Sequence, residues 1–114
     1  MIILSLGSNL SSKFGNRFDN LQKAINCLIN EGIIIIKQSS FYETPSYPDP
    51  KNPKFINMTV SIQSNLSAEK LMLLLISIEE KLERKRFKKN APRTCDIDII
   101  DFENKILNLS FNNL

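Results

Sequence analysis

Apolar residues recur along this chain in two rhythms. Met1-Ile-Ile-Leu-Ser-Leu6 is nearly all apolar and runs into Gly7, which predicts a buried strand followed by a turn at Gly7-Ser8-Asn9. Over residues 16–30, Phe18, Leu21, Ile25, Leu28 and Ile29 recur at helical spacing and Gly32 supplies a stop, so a first helix is expected there. Residues 33–41 are β-branched and aromatic, a second strand. Four prolines within residues 45–53 then impose a long loop over 44–53, since proline fits neither a helix interior nor a central strand. Residues 55–66 alternate, with Ile56, Met58, Val60 and Ile62 on one face and Phe55, Asn57, Thr59 and Ser61 on the other: a strand with one polar face. Ser67 stands where it caps a second helix, whose apolar stripe is Leu71, Leu74, Leu75, Ile78 and Leu82 and whose end falls in Glu83-Arg84-Lys85-Arg86. A basic loop over 87–92 leads to a strand over 94–102, a turn at Glu103-Asn104 and a short strand over 106–109.

Up to residue 102 the order is strand, helix, strand, strand, helix, strand. That order predicts an α+β fold of the ferredoxin-like β-α-β-β-α-β type, an antiparallel sheet with two helices on one face. At 114 residues the chain is long enough for one core and too short for two, so a single domain over 1–114 is expected. Hydrophobic residues make up 42% and charged residues 24%, which argues against long disorder. No run reaches the roughly 20 apolar residues of a membrane span, and residues 1–6 lack the basic start of a signal peptide. A cytoplasmic location is the expectation. Cys27 and Cys95 read as reduced core residues, and with no histidine in the chain a zinc site has no support.

The net charge of +3 is unevenly spread: of only four arginines, Arg84, Arg86 and Arg93 lie within ten positions of one another. Arginine concentrates where a fork of donors must meet phosphate. Just beyond stand Asp96 and Asp98. Residues two apart in a strand point the same way, about 7 Å from each other, so these carboxylates project together from an apolar run and suit a hard cation such as Mg2+. The plainer alternative is a solvated edge strand with two ordinary acids. The basic run over 84–93, with Lys85, Lys88 and Lys89, reads either as a phosphate-binding cluster or as a helix end whose cations complement the helix dipole. Glu79 falls inside the apolar arc of the second helix, where a carboxylate needs a partner, unless it sits at the rim with its head in water. On the polar face of the third strand Phe55 and Asn57 point the same way, a ring and an amide, with Thr44 and Pro45 at a nearby strand end. Together they suit a planar heterocycle with donor and acceptor edges, although each is an ordinary structural residue when taken singly.

At Pro92-Arg93-Thr94-Cys95-Asp96-Ile97-Asp98-Ile99-Ile100 the sequence resembles the 6-hydroxymethyl-7,8-dihydropterin pyrophosphokinases. Leu6-Gly7-Ser8-Asn9-Leu10, Ser39-Ser40-Phe41-Tyr42-Glu43-Thr44-Pro45 and Phe55-Ile56-Asn57 agree with it in order. The resemblance implies transfer of the terminal two phosphates of ATP to the pterin hydroxyl, with AMP leaving, as a step in folate synthesis. It further implies that Asp96 and Asp98 hold two Mg2+ ions and that Arg84, Arg86 and Arg93 contact the phosphates. Glu79 and Ile99 would lie on the ATP side, while Thr44, Pro45, Phe55 and Asn57 would line the pterin pocket, Phe55 standing where a tyrosine is common. Residues 7–10, 45–53 and 87–92 would be mobile covers. Compared with the family, the basic loop lacks a frequent tryptophan and is about one residue short. The chain also stops before the family's last segment, as a C-terminally truncated member would.

Small-molecule substrates, no nucleic acid, no membrane and a monomeric state are the expected partner set. Two other readings stay open: an inactive or weakly binding remnant of such an enzyme, and an RNA-binding module that uses the same kind of sheet.

Overall fold

The computed structural model describes residues 1–46, 51–84 and 92–104. Within them run β1 (Ile2–Ser8), α1 (Arg17–Asn30), β2 (Ile34–Gln38), β3 (Tyr42–Thr44), β4 (Phe55–Gln63), α2 (Ala68–Lys81) and β5 (Asp96–Phe102). The sheet order is β2-β4-β1-β5, with β3 also on β4, and every pairing is antiparallel. This is the expected α+β, ferredoxin-like arrangement. The expected strand over 106–109 lies outside the described residues.

Strand alternation sorts the sheet into two faces. Ile2, Leu4 and Leu6 of β1 stand opposite Ile62, Val60 and Met58 of β4, and all six are buried, as is Ile97 of β5 opposite Leu6. Both helices close over that face: Leu21, Ala24, Ile25 and Leu28 of α1 and Leu71, Leu75 and Ile78 of α2 join the same core. Each such side chain contributes about 1.5–3 kcal/mol through burial, and this core is the main source of stability. The intervening residues, including Ser5, Asn57, Thr59 and Asp98, take the opposite face, which no described helix covers.

Both helix starts are capped as a sequence rule expects. Asn16 accepts from the Asp19 N–H while Asp19 accepts from the Asn16 N–H, a reciprocal box, and Ser67 accepts from the Lys70 N–H. Two residues of the predicted stripe of α1 are exposed: Phe18 and Ile29. Phe18 instead meets Phe41 edge-on at 5.2 Å, beside the break between β2 and β3.

Several boundaries moved. β1 continues through Gly7 and Ser8, where a turn was expected, because both residues pair with β4. The strand expected over 33–41 ends at Gln38, and a separate short strand, Tyr42–Thr44, reaches into the expected proline loop. The two strands form one interrupted edge along β4, since Ser39 bridges the gap: its N–H donates to the Thr59 carbonyl at 2.8 Å and its hydroxyl accepts from the Thr59 N–H at 2.9 Å. The Ser39 side chain replaces a missing backbone acceptor, so the ladder survives the break.

No helix among the described residues is long and apolar enough to cross a membrane. Cys27 and Cys95 are free thiols within the core. Burial pushes Cys95 from 9.0 up to about 12, Asp96 adding to the rise, Arg84 opposing it and Cys27 adding a further increment. The folded chain therefore retains this proton through a range in which the unfolded chain releases it. The associated stability is complete below about pH 9 and falls by about 1.4 kcal/mol per pH unit above it. Urea midpoints in buffer free of divalent cations should show this fall between pH 9 and 11, and Cys95→Ala should remove about one proton's worth of the slope. Equal slopes in the two proteins would contradict it.

Candidate active site on the open sheet face

Strand register places the candidate residues without reference to any ligand. Asp96 of β5 stands opposite Gly7 of β1, and Gly7 stands opposite Asn57 of β4, which in turn pairs with Tyr42 of β3. Asp98 stands opposite Ser5, so the two carboxylates share the open face, as their spacing requires. From Asp96 to Asn57 is two strand spacings, about 10 Å. Gly7 forms the floor between them: a side chain there would lie 3.0 Å from Asn57 Oδ1 and 3.4 Å from the Phe55 ring. Only glycine leaves that strip of sheet flat while Phe55 and Asn57 lean over it.

On one side of the floor, the Asn57 amide donates to Thr44 Oγ1 at 2.8 Å and to the Tyr42 carbonyl at 3.3 Å. These bonds fix its carboxamide plane beside the half-buried Phe55 ring. Pro45 follows, exposed.

The other side is a chain of charges. Glu79 is 2% exposed at the end of α2, and its Oε2 accepts from the Ile97 N–H at 2.7 Å and from Arg84 Nη1 at 2.8 Å. Among the described residues β5 ends the sheet order, so Glu79 satisfies an amide at that edge. The same Arg84 nitrogen reaches Asp96 Oδ1 at 2.9 Å, and Arg93 Nη1 reaches Asp96 Oδ2 at 3.2 Å. Glu79 thus has the partner that its place in the apolar arc demanded. Arg84 owes its position to the helix end: Glu83 adopts a left-handed φ of 68°, which folds the chain back so that the Arg84 N–H bonds to the Glu79 carbonyl at 3.1 Å. The Lys13 N–H donates to Glu83 Oε1 at 2.8 Å and steadies this turn, which costs a non-glycine residue roughly 1 kcal/mol.

Arg86 lies outside the described residues, as do Lys85, Lys88 and Lys89. Ile99 is not brought to the carboxylates: it pairs with Leu4 and packs on the core face, because a one-residue step along a strand reverses the face.

Asn9 and Asn20 are site-shaping residues that the sequence reading did not single out. Asn9 is 3% exposed; its amide donates to Ser46 Oγ at 3.0 Å and the Pro53 carbonyl at 3.1 Å, while its Oδ1 accepts from the Arg93 N–H at 2.6 Å. One side chain ties together the loops after β1, around the prolines and before β5. Asn20, fully buried on α1, donates to the Leu10 carbonyl at 2.9 Å and accepts from Ser12 Oγ at 2.5 Å. The segment around residues 7–10, expected as a mobile cover, is sewn down by these bonds. The available signal was two asparagines near a glycine turn, which is too common a pattern to interpret without the fold.

As a metal site the donor set is small. Among the described residues no group of three or more His, Cys, Asp or Glu side chains is placed to hold a metal ion. Two hard carboxylates on one face fit Mg2+, which takes one or two protein carboxylates and completes its shell with water and substrate phosphate.

A family model described as 7,8-dihydro-6-hydroxymethylpterin-pyrophosphokinase matches residues 3–112. The chain is 36% identical over 106 residues to the 2-amino-4-hydroxy-6-hydroxymethyldihydropteridine pyrophosphokinase of Synechocystis sp., covering 92% of this chain and 52% of that protein. It is 36% identical over 112 residues to the protein of the same description from Helicobacter pylori, covering 93% and 64%. A mitochondrial folate synthesis bifunctional protein of Arabidopsis thaliana is 31% identical over 99 residues, 87% of this chain and 17% of that protein. The chain therefore spans between about half and two thirds of the single enzymes it matches, and a smaller part of the bifunctional one.

Proposed function

We propose, from the premise that this chain belongs to the 7,8-dihydro-6-hydroxymethylpterin-pyrophosphokinase family, that it transfers the terminal diphosphate of ATP to 6-hydroxymethyl-7,8-dihydropterin. The pterin hydroxyl oxygen forms a bond to the β-phosphorus, the bond from that phosphorus to the α,β-bridging oxygen breaks, the hydroxyl proton is lost and AMP leaves.

The observation that carries this reading is the shared face. Asp96 and Asp98, with Arg84 and Arg93 at Asp96, stand across a bare glycine strip from Asn57, Phe55 and Thr44. Phosphoryl transfer asks a protein mostly to position its reactants and to neutralise charge, and these residues divide that work. Phe55 offers a ring for the pterin to stack on, and the Asn57 carboxamide, held by Thr44, offers a fixed polar edge for the heterocycle. Pro45 bounds the same pocket. Arg84 and Arg93, joined by Arg86, donate to phosphate oxygens and offset the charge that builds on them. Asp96 and Asp98 would hold Mg2+, two ions in the full assembly, which when bound neutralises and orients the phosphates. Glu79 serves the nucleotide side through Arg84, and Ile99 serves it through the backbone of β5. The enzyme acts as a monomer in the cytoplasm on small molecules, without nucleic acid.

The test is release of AMP from ATP by the purified chain, with Mg2+ and hydroxymethyldihydropterin. Release that requires both is the expected result. Binding of a nonhydrolysable ATP analogue and of the pterin, with no AMP formed, would reduce the reading to a binding domain. Affinity for single-stranded RNA that ignores Mg2+ and falls steeply with salt would replace it.

A further inference from the structure

Asp96 is not presented to solvent as an open ligand. One of its carboxylate oxygens accepts from Arg84 and the other from Arg93, at 2.9 and 3.2 Å. Each oxygen retains lone-pair capacity, so the obstacle to a cation there is electrostatic: a divalent ion at Asp96 would face two guanidinium groups at close range. Among the described residues, Arg84 differs from Arg93 in having a second anionic partner. Glu79 holds it at 2.8 Å, and Glu79 is itself fixed by the Ile97 N–H, with its side chain 3% exposed. Losing Asp96 would therefore leave Arg84 beside the site and not send it into water. Arg93, with its side chain 27% exposed, is held at its own N–H by Asn9 Oδ1.

We infer that Arg84 and Arg93 act as stand-ins for the metal: they keep Asp96 closed until nucleotide phosphates draw their guanidinium groups away, and Glu79 is the positioning residue that retains Arg84 during the exchange. This rests on the proposed metal and nucleotide roles of the same site. Among the described residues, the Glu79 and Asp96 carboxylates meet the Arg84 and Arg93 guanidinium groups in the ligand-free state. Phosphate oxygens arriving at the site offer the arginines a stronger partner, and Asp96 becomes available to the cation as they leave it. Metal and nucleotide then bind with a positive coupling, which linkage requires to be the same in both directions.

Mn2+ in place of Mg2+, followed by the electron paramagnetic resonance signal of the free ion, tests this without any turnover. Without nucleotide, Arg93→Ala should bind Mn2+ about tenfold more tightly than the unaltered chain, the size expected from removing one positive charge some 5 Å from a divalent ion in water-like surroundings. The same variant should bind a nonhydrolysable ATP analogue more weakly, and Arg93→Lys should restore the low Mn2+ affinity. Glu79→Gln keeps an acceptor for Ile97 and should weaken the analogue at least about fivefold without raising Mn2+ affinity. Asp96→Asn supplies the background in every titration. Should the unaltered chain take up nucleotide-free Mn2+ as tightly as Arg93→Ala, the stand-in inference is overturned while the metal site survives. Analogue affinity unchanged in Glu79→Gln, with only its thermal midpoint moved, would overturn the positioning role. Mn2+ uptake indifferent to Asp96→Asn, with and without nucleotide, would remove the metal reading and this inference with it.

Discussion

Glu79→Ala is expected to destabilise the chain by about 3–5 kcal/mol, the cost of breaking a buried ion pair by removing one partner. Among the described residues, two groups lose their acceptor at once. The Arg84 side chain, only 9% exposed, forfeits the nearer of its two carboxylates, and the Ile97 N–H at the edge of β5 is left without a bond. The loss is comparable to truncating a buried leucine, although Glu79 adds little to the apolar core. That figure is the penalty of an orphaned charge and not the net worth of the pair. A hydrophobic replacement of similar volume for Glu79 and Arg84 together should recover much of the stability while abolishing nucleotide binding. Urea unfolding followed by circular dichroism measures the first effect. A change below about 1 kcal/mol in Glu79→Ala would mean that Asp96 alone satisfies Arg84 and that the chain of charges is looser than the distances indicate.

Asp98→Ala should do the opposite: leave stability within about 1 kcal/mol, the range for an exposed carboxylate and its contacts, and lower AMP release by at least about 100-fold. The residue is exposed and lies outside the helix-covered core, so its truncation leaves no cavity. A metal ligand in phosphoryl transfer contributes several kcal/mol to the transition state, and each 1.4 kcal/mol is a factor of ten in rate. Release of AMP per minute at saturating ATP and pterin, beside a urea midpoint for the same preparation, separates the two effects. Turnover within threefold of the unaltered chain would remove Asp98 from the metal site. A large fall in the midpoint would instead show that the residue is structural.

Much of this was readable from local pattern. The alternation of residues 55–63 already sorted Phe55 and Asn57 from Ile56 and Met58, because strand geometry has a period of two regardless of what surrounds it. The same rule put Asp96 and Asp98 on one face, but it was not applied to Ile99, which the fold shows on the other. The cap residue Ser67 was visible because a helix start leaves N–H groups that only a few side chains satisfy. The boundaries around Gly7 and residues 39–44 were missed, since pairing with β4 decided them. A neighbouring strand supplies hydrogen bonds that outweigh a local turn preference.

From its residues alone, the chain dictated the order and kind of its main elements, which face of each strand is apolar, and the presence of an acid inside the apolar arc of α2. These follow from periodicity and from the cost of burying charge, both of which act over a few residues. Which acid meets which arginine, that a bare glycine strip separates the charged side from the Asn57 side, and that Asn9 gathers three loops were settled only when the sheet assembled. The glycine strip and the Asn9 contacts join positions 37 to 89 residues apart, where no local rule reaches, and the acid–arginine contacts, though only 3 to 12 residues apart, depend on how the end of α2 meets β5.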